Sequence, residues 1–502
     1  MDSNKYIKTP SSISYKDIGN VDYTLSASQY KHLSMLNTNT LTVRDFLSRP
    51  LQRKDLGVEV GSLNYINQST HYFLRTKALQ EHSLLPDITK ETMLPIMPQS
   101  FVQMNLKEGD LIISKDSNIG EIVILDRDYP NVMLSSALYK LPINCNKYYL
   151  LAFIKHSLFR EQLDVMVPKG ATIRHAKKLF LNCKIPLPNK NKENTIKFIE
   201  FLTSAIINKE RRIKERYNHI LDLIDQELYN NQKLDKFIYD FPFFDELVLS
   251  GRLDTKTYTK EFKENEYIVK NYNKGAQTIY ELGFKLSRGQ NLQVANIGGS
   301  IYCKTHHKDF YTLVLPKFLS KYGTIEKVEY LGNPNSLKTL KRGDLIFGAE
   351  GFEKGRSIVV LEEEDNVITN IHGITFKQEA YDINKAIFVK CFLDYLRNKG
   401  IIDLYAVGGN GGSLAQKYWD VILFPKFPKK KQDEIVRLYH NLQANYDADN
   451  FTLNNFLELD NAYNEEAGIY ELDKTAKMLN EILNTAIDNI ANDKEVNVKF
   501  SI

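Results

Sequence analysis

Residues that could do chemistry gather in a few short loops. Lys115-Asp116-Ser117-Asn118 forms one group, and Gly170-Ala171-Thr172-Ile173-Arg174-His175-Ala176-Lys177-Lys178 a second. The later half of the chain offers Lys354-Gly355-Arg356, Asn370-Ile371-His372-Gly373, and a Gly-rich run through Asn410 to Ser413-Leu414-Ala415-Gln416-Lys417. Arginine suits a guanine edge and Asn or Gln an adenine edge, whereas Lys, Ser, Thr and backbone N–H groups suit phosphates. Arg49 and Arg288, each ending a Leu-Ser-Arg string, extend the set. The candidate DNA-binding residues are therefore Arg49, Lys115, Asn118, Thr172, Arg174, His175, Lys177, Arg288, Lys354, Arg356, Asn370, His372, Asn410, Ser413, Gln416 and Lys417. Any one of them is equally well an ordinary polar loop residue. The set gains weight because its members recur in the same order in two halves.

Catalytic constellations do not emerge. There is no Gly-x-x-x-x-Gly-Lys-Ser/Thr phosphate loop and no Gly-x-Ser-x-Gly nucleophile elbow. Asn333-Pro334-Asn335-Ser336 is a poor version of the Asn-Pro-Pro-aromatic motif of adenine methyltransferases, lacking its second proline and its aromatic residue. It reads as a turn. Glu362-Glu363-Glu364-Asp365 reads as a solvated turn, and His306-His307 as surface without nearby Cys ligands. The expectation is a chain without catalytic or metal-ligating residues.

The elements that position these loops come in duplicate. Gly109-Asp110-Leu111-Ile112-Ile113 returns as Gly343-Asp344-Leu345-Ile346-Phe347, an offset of 234 residues. Leu47-Ser48-Arg49 returns as Leu286-Ser287-Arg288 (239), Gly61-Ser62 as Gly299-Ser300 (238), and Gly170-Ala171-Thr172-Ile173 as Gly411-Gly412-Ser413-Leu414 (241). Ile185-Pro186-Leu187-Pro188 returns as Phe424-Pro425-Lys426-Phe427-Pro428. A period this long means a duplicated domain and not a solenoid. Each copy reads as short strands broken by turns. Leu111–Ile113 and Glu121–Leu125 are predicted strands, Tyr148–Leu163 the main helix of the first copy, and Phe388–Arg397 its counterpart.

Between the copies the texture changes. From about Lys192 to Asn230 there is no Gly or Pro, and Ile199, Ile206, Ile213 and Ile220 fall every seven residues. That pattern predicts a coiled-coil helix of roughly 55 Å. Its basic run Lys209–Arg216 reads as a solvated face. Further helices are predicted over Gln432–Ala444, with Leu442 on its apolar face, and over Asp473–Asn492, the natural partner for the central rod; Asn445–Glu471 reads as irregular. A short helix is expected around Ser26–Leu36.

Composition sets broad limits. At 502 residues, 43% hydrophobic and 25% charged, the chain suits two to four globular domains. The four dispersed cysteines argue against a zinc site or a disulfide framework. No apolar stretch approaches the ~20 residues of a membrane span, and Met1-Asp2-Ser3-Asn4-Lys5 has no signal-peptide core. A cytoplasmic location without membrane contact is expected. The net charge of +4 is too small to name a partner by itself.

With these motifs in order, the chain resembles the specificity (S) subunit of type I restriction-modification systems over about residues 43–495. The resemblance rests on Gly109–Lys115, Gly170–His175 and Ile185–Pro188 leading into a long helix. In the second half it rests on Arg342–Phe347, Lys354–Ser357 and Phe424–Pro428 leading into another. It implies an α+β fold: two duplicated mixed α/β target recognition domains separated by long antiparallel coiled-coil helices, related by a pseudo-twofold axis. The expected boundaries are 1–42, a polar segment; 43–190, the first recognition domain; 191–232, the spacer helix; 233–278, a connector; 279–428, the second recognition domain; and 429–502, the terminal spacer helices. The resemblance further implies a non-catalytic reader of double-stranded DNA, one half of an asymmetric bipartite site per domain. The helices would fix the spacing and dock two adenine methyltransferase (modification) subunits. S-adenosylmethionine, ATP and Mg2+ would be bound by partners, including an ATP-dependent restriction/translocase subunit, and no cofactor by this chain. S-like modules also serve type II and other phage-defence methyltransferases. A coiled-coil scaffold with two protein-binding lobes is the alternative outside DNA biology.

Overall fold

The computed structural model describes residues 5–19, 30–143, 145–167, 175–233, 236–363, 366–408 and 412–501. The chain divides into two units. The first comprises Met1–Arg211, Asn445–Glu465 and Lys474–Ile502, the second Arg212–Ala444 and Glu466–Asp473.

In the first unit the strand Leu111–Ser114 lies between Ile122–Ile124 and Leu138–Leu141, antiparallel to both. Side-chain alternation along these strands feeds two cores instead of one core and solvent. Leu111, Ile113, Ile122 and Ile124 face the helix-lined core with Leu151, Phe153 and Phe180. Ile112 and Val123 face a second cluster with Leu74, Leu79 and Leu134. Burial on both faces explains why these segments read as unbroken apolar runs. A second sheet sets Tyr72–Leu74 between Met93–Pro95, antiparallel, and Val132–Leu134, parallel. A short antiparallel pair, Thr40–Thr42 with Lys184–Pro186, closes the module where the chain enters and leaves it.

The second unit repeats the plan. Leu345–Gly348 lies between Ser357–Val359 and Gly373–Gln378. Tyr311–Leu313 lies between Glu329–Gly332, antiparallel, and Val367–Ile368, parallel. Ala276–Thr278 with Leu423–Pro425 forms the closing pair.

The repeated Gly-Asp has a local cause. Gly109 and Gly343 have φ of 80° and 89°, the left-handed region a glycine enters freely. The next residue completes the turn. Asp110 accepts the Lys107 N–H at 2.7 Å, and Asp344 accepts that of Lys341 at 2.9 Å.

One predicted pairing is displaced. Leu47 bridges Ile143 and Leu56 bridges Tyr139, whereas Phe284 pairs Gln378 and Arg288 pairs Ile374. Ile143 and Gln378, like Tyr139 and Ile374, lie 235 residues apart. Leu47 thus matches Phe284 and Leu56 matches Arg288, so Leu47-Ser48-Arg49 is not the counterpart of Leu286-Ser287-Arg288. The first module carries extra residues here, folded into a 3-10 turn over Arg53–Asp55.

The long helix runs over Lys192–Asn230. Ile199, Leu202, Ala205 and Ile206 share the first unit's core with Leu479, Leu483, Ala486 and Ile490 of the terminal helix Ile469–Ala491. The run Lys209–Arg216 is not simply a solvated face. Lys209 is fully buried against Asp460, and Glu210 accepts the N–H groups of Leu84 and Leu85 at 3.0 and 3.1 Å. Arg211 reaches Glu108 at 3.1 Å. Within the first unit, Lys209, Glu210 and Arg211 are thus satisfied by other segments, whereas Arg212 pairs with Glu215 on the exposed side of the helix at 2.8 Å.

Other elements also differ from expectation. The first module's helix is split into Lys147–Lys155 and Ser157–Met166, with His156 as N-cap: its Nδ1 accepts the Leu158 N–H at 3.2 Å. The helix expected over Gln432–Ala444 spans Lys429–Tyr439, leaving Leu442 78% exposed. Asn445–Glu471 contains the helix Phe456–Glu466 and the start of the terminal one. In the polar leader, the described part of Ser26–Leu36 holds the strand His32–Leu33, paired with Ile7–Lys8. Glu161 accepts three consecutive N–H groups, those of Lys5, Tyr6 and Ile7, and so pins this arm to the first unit. Among the described residues no helix is long and apolar enough to cross a membrane.

Candidate nucleic-acid interface

In each module the central strand ends two residues before an acid, Asp116 after Ser114 and Glu350 after Gly348. Matching backbone bonds hold the two ends. Lys115 donates its N–H to the Ala137 carbonyl at 2.9 Å, and Ala176 donates to Lys115 at 2.8 Å. In the second module Ala349 donates to His372 at 3.0 Å, and Leu414 donates to Ala349 at 2.8 Å. Asp116 bridges His175, and Glu350 bridges Ser413. His175 is therefore the counterpart of Ser413, and Ala137 the counterpart of His372. This corrects the predicted match of Gly170–Ile173 with Gly411–Leu414, which set Thr172 opposite Ser413. An irregular loop lacks the hydrophobic register that fixes a strand alignment.

The side chains converge on these acids. His175 Nδ1 lies 2.7 Å from Asp116 Oδ1, and Lys115 pairs with the same carboxylate. His372 Nδ1 lies 2.6 Å from Glu350 Oε2. Arg288 meets Glu350 Oε1 at 3.1 Å and also donates to the Ile371 carbonyl. Asn370 Oδ1 accepts the His372 N–H at 3.2 Å. Both imidazoles are 57% exposed, while the acids beneath are 14% and 34% exposed.

The remaining candidates are dispersed. Arg49 forms a two-pronged pair with Asp55 at 2.6 and 2.7 Å. Burial pushes the Asp55 carboxyl up, but the Arg49 and Gln52 hydrogen bonds outweigh it and hold its pKa below the usual value. Asn118 and Lys177 are exposed, and Lys177 has a φ of 48°. Lys354 pairs with Asp403 at 2.6 Å; Arg356 donates to the Leu319 carbonyl at 2.7 Å and pairs with Glu353. Thr172, Arg174 and Asn410 lie outside the described residues, as do the side chains of Gln416 and Lys417. Asn333 and Asn335 each donate to the Ile297 carbonyl at 3.0 Å, as a turn would. Among the described residues no group of three or more His, Cys, Asp or Glu could hold a metal ion.

Sequence reasoning missed Asp116 and Glu350 as anchors. A signal was present: reading past the repeated strand motif at the same 234-residue offset leads from one acid to the other.

No family model matches the chain, and no curated protein matches it. Several solved structures are similar. The type I restriction-modification system S subunit from M. genitalium aligns with 91% of this chain and 97% of its own, at 11% identity and a TM-score of 0.38. A structure on complex assembly and conformational transition of the type I R-M system aligns with 91% of this chain and 98% of its own, at 11% identity and a TM-score of 0.28. The HsdS subunit from Thermoanaerobacter tengcongensis aligns with 91% of this chain and 96% of its own, at 11% identity and a TM-score of 0.27.

Proposed function

We propose that the chain is the DNA sequence-specificity subunit of a type I restriction-modification complex, each module reading one half of an asymmetric bipartite site. One observation carries this reading. The two modules repeat the central strand, its two neighbours and the backbone hydrogen bonds at its end, yet differ in side chain at matched loop positions, such as His175 against Ser413 and Ala137 against His372. Common backbone with divergent loop chemistry is what two readers of different half-sites require. A pair of protein-binding lobes has no such need for matched polar loops.

In this reading the helices fix the spacing of the half-sites and dock two adenine methyltransferase subunits. Methyl transfer from S-adenosylmethionine, and ATP- and Mg2+-dependent translocation and cleavage, belong to partner chains. The deciding experiment exchanges residues 43–188 for those of another such chain and sequences the methylome of a host carrying the assembly. One half of the methylated motif should change and the other persist. A single contiguous motif, or methylation independent of the chain, would overturn the proposal. Binding should also weaken steeply with salt, through release of counterions from phosphates.

A further inference from the structure

We propose that the three-residue clusters Lys115–Asp116–His175 and Arg288–Glu350–His372 are the base-reading elements of their modules. Asp116 and Glu350 act as positioning residues, and the imidazole Nε2 of His175 and His372 accepts from the exocyclic amine of an adenine or cytosine. This rests on the DNA-specificity reading above and deepens it.

A carboxylate facing a polyanion is repelled, so an acid at the centre of such a site needs a reason. In both modules the reason is the same. A neighbouring cation, Lys115 or Arg288, offsets the acid's charge. The acid's remaining capacity takes the Nδ1–H of the imidazole at 2.7 or 2.6 Å. A hydrogen bond at Nδ1 selects the tautomer and directs the Nε2 lone pair away from the acid. Each ring is 57% exposed and is bonded to an acid that lies two residues beyond the end of a buried core strand. A side chain held this way loses little freedom on binding. Asn118, whose amide reaches only the Leu79 carbonyl at 3.5 Å, and Lys177 are exposed on turns with no carboxylate partner among the described residues, and suit phosphate contacts better.

Shared descent does not account for the match. His175 comes from the loop after the module's helices, and His372 from the turn before the strand Gly373–Gln378. They occupy non-equivalent positions in the repeat, and each module has filled one spot beside its acid from opposite sides. Two independent routes to one arrangement point to the arrangement itself as useful.

The test selects a random-sequence DNA duplex library on the full chain and sequences the bound fraction. Wild type should enrich a two-part site. His175→Ala should erase preference at one position in one half, and His372→Ala at one position in the other, each by roughly 5- to 150-fold. His175→Gln, which keeps a planar hydrogen-bonding group, should retain part of the preference, and it carries the test if the alanine variant melts early. Asp116→Ala should match His175→Ala, and Asp116→Asn, still an acceptor for Nδ1–H, should lie between Asp116→Ala and wild type. If wild type enriches a bipartite site and both histidine variants enrich the same one, the clusters are loop pins and this proposal fails alone. If the variants lose affinity evenly at all positions, it fails likewise. If wild type enriches nothing, the specificity-subunit reading fails and takes the proposal with it.

Discussion

The first module reaches its central sheet through ten residues, Leu47 to Leu56, where the second uses five, Phe284 to Arg288. The shorter path forms a regular strand; the longer one makes two isolated bridges around a 3-10 turn held by Arg49 and Asp55. The helices differ too. The first module's helical stretch breaks at His156, whereas the second's runs unbroken over Ile383–Asn398. Yet the strands that carry the acids keep register in both. What varies lies at the rim, and what repeats is the layer that orients the rim. Buried strands tolerate little change because a one-residue slip exchanges every core side chain for its neighbour.

The buried lysines test whether each unit unfolds on its own, and their loss should cost most. Lys209 is buried against Asp460 and Asn464, both at 2.7 Å, under the rings of Tyr446 and Tyr463. In the second unit Lys390 pairs with Asp394 at 2.7 Å, its amine 4.1 Å from the Tyr439 ring. Lys209→Ala or Lys390→Ala strands a buried carboxylate and should cost about 3–5 kcal/mol in its own unit. Trp419, the sole tryptophan, is fully buried in the second unit and so reports on it alone. In urea titrations, Lys390→Ala should move the fluorescence midpoint, and Lys209→Ala only the circular dichroism. Equal shifts in fluorescence would show that the two units do not unfold separately.

Next come Gly57 and Gly289. Each donates its N–H to the end of the sheet, to the Leu138 and Gly373 carbonyls respectively. A Cβ would stand 2.1 Å from the Ser135 carbonyl oxygen at one and 2.2 Å from that of Asn370 at the other. Gly→Ala at either should cost about 3 kcal/mol. A marked inequality in their denaturation midpoints would show that the backbone correspondence is looser than the hydrogen bonds imply.

A pH effect should separate the modules. Burial holds the His156 pKa down from 6.5 to about 4, against the pull of Asp488. Its Nδ1 accepts the Leu158 N–H, so protonation there removes the helix cap. The folded state binds this proton less readily than the unfolded state. Stability is therefore full above about pH 6.5 and falls as pH drops toward 4, by on the order of 2–3 kcal/mol. His156→Gln should flatten that dependence in the dichroism-detected transition. If the loss persists unchanged in the variant, other groups carry it.

The smallest effect concerns the reading clusters. Exposed ion pairs contribute ~0–1 kcal/mol, so His175→Ala and His372→Ala should leave both transitions within about that range. A collapse of either melt would make these histidines structural.

Local rules made much of this legible. The helix Lys192–Asn230 was marked by its heptads and its freedom from Gly and Pro. The repeated Gly-Asp turns, the strands after them and the closing Ile185-Pro186 and Phe424-Pro425 strands align at nearly constant offsets. Where the chain leaves regular structure, constant spacing pairs the wrong residues: it sets Arg49 against Arg288 and Thr172 against Ser413, whereas the backbone pairing sets Leu56 against Arg288 and His175 against Ser413. Lys209 reads as a solvated charge in the sequence but is buried in the structure, because its partner Asp460 lies 251 positions away and no local pattern links them.

Sequence alone specified a duplication, the repeated Gly-Asp turn with the strands that follow it, and the course of the long helix, because glycine turns and apolar periodicity act over a few residues. Which side chains meet is set by the fold in three dimensions. Asp116 acquires His175 from 59 residues away, while Glu350 takes Arg288 and His372 from either side. Those meetings depend on how loops return over the end of a sheet, and loop length, unlike strand register, carries no period from which the return can be read.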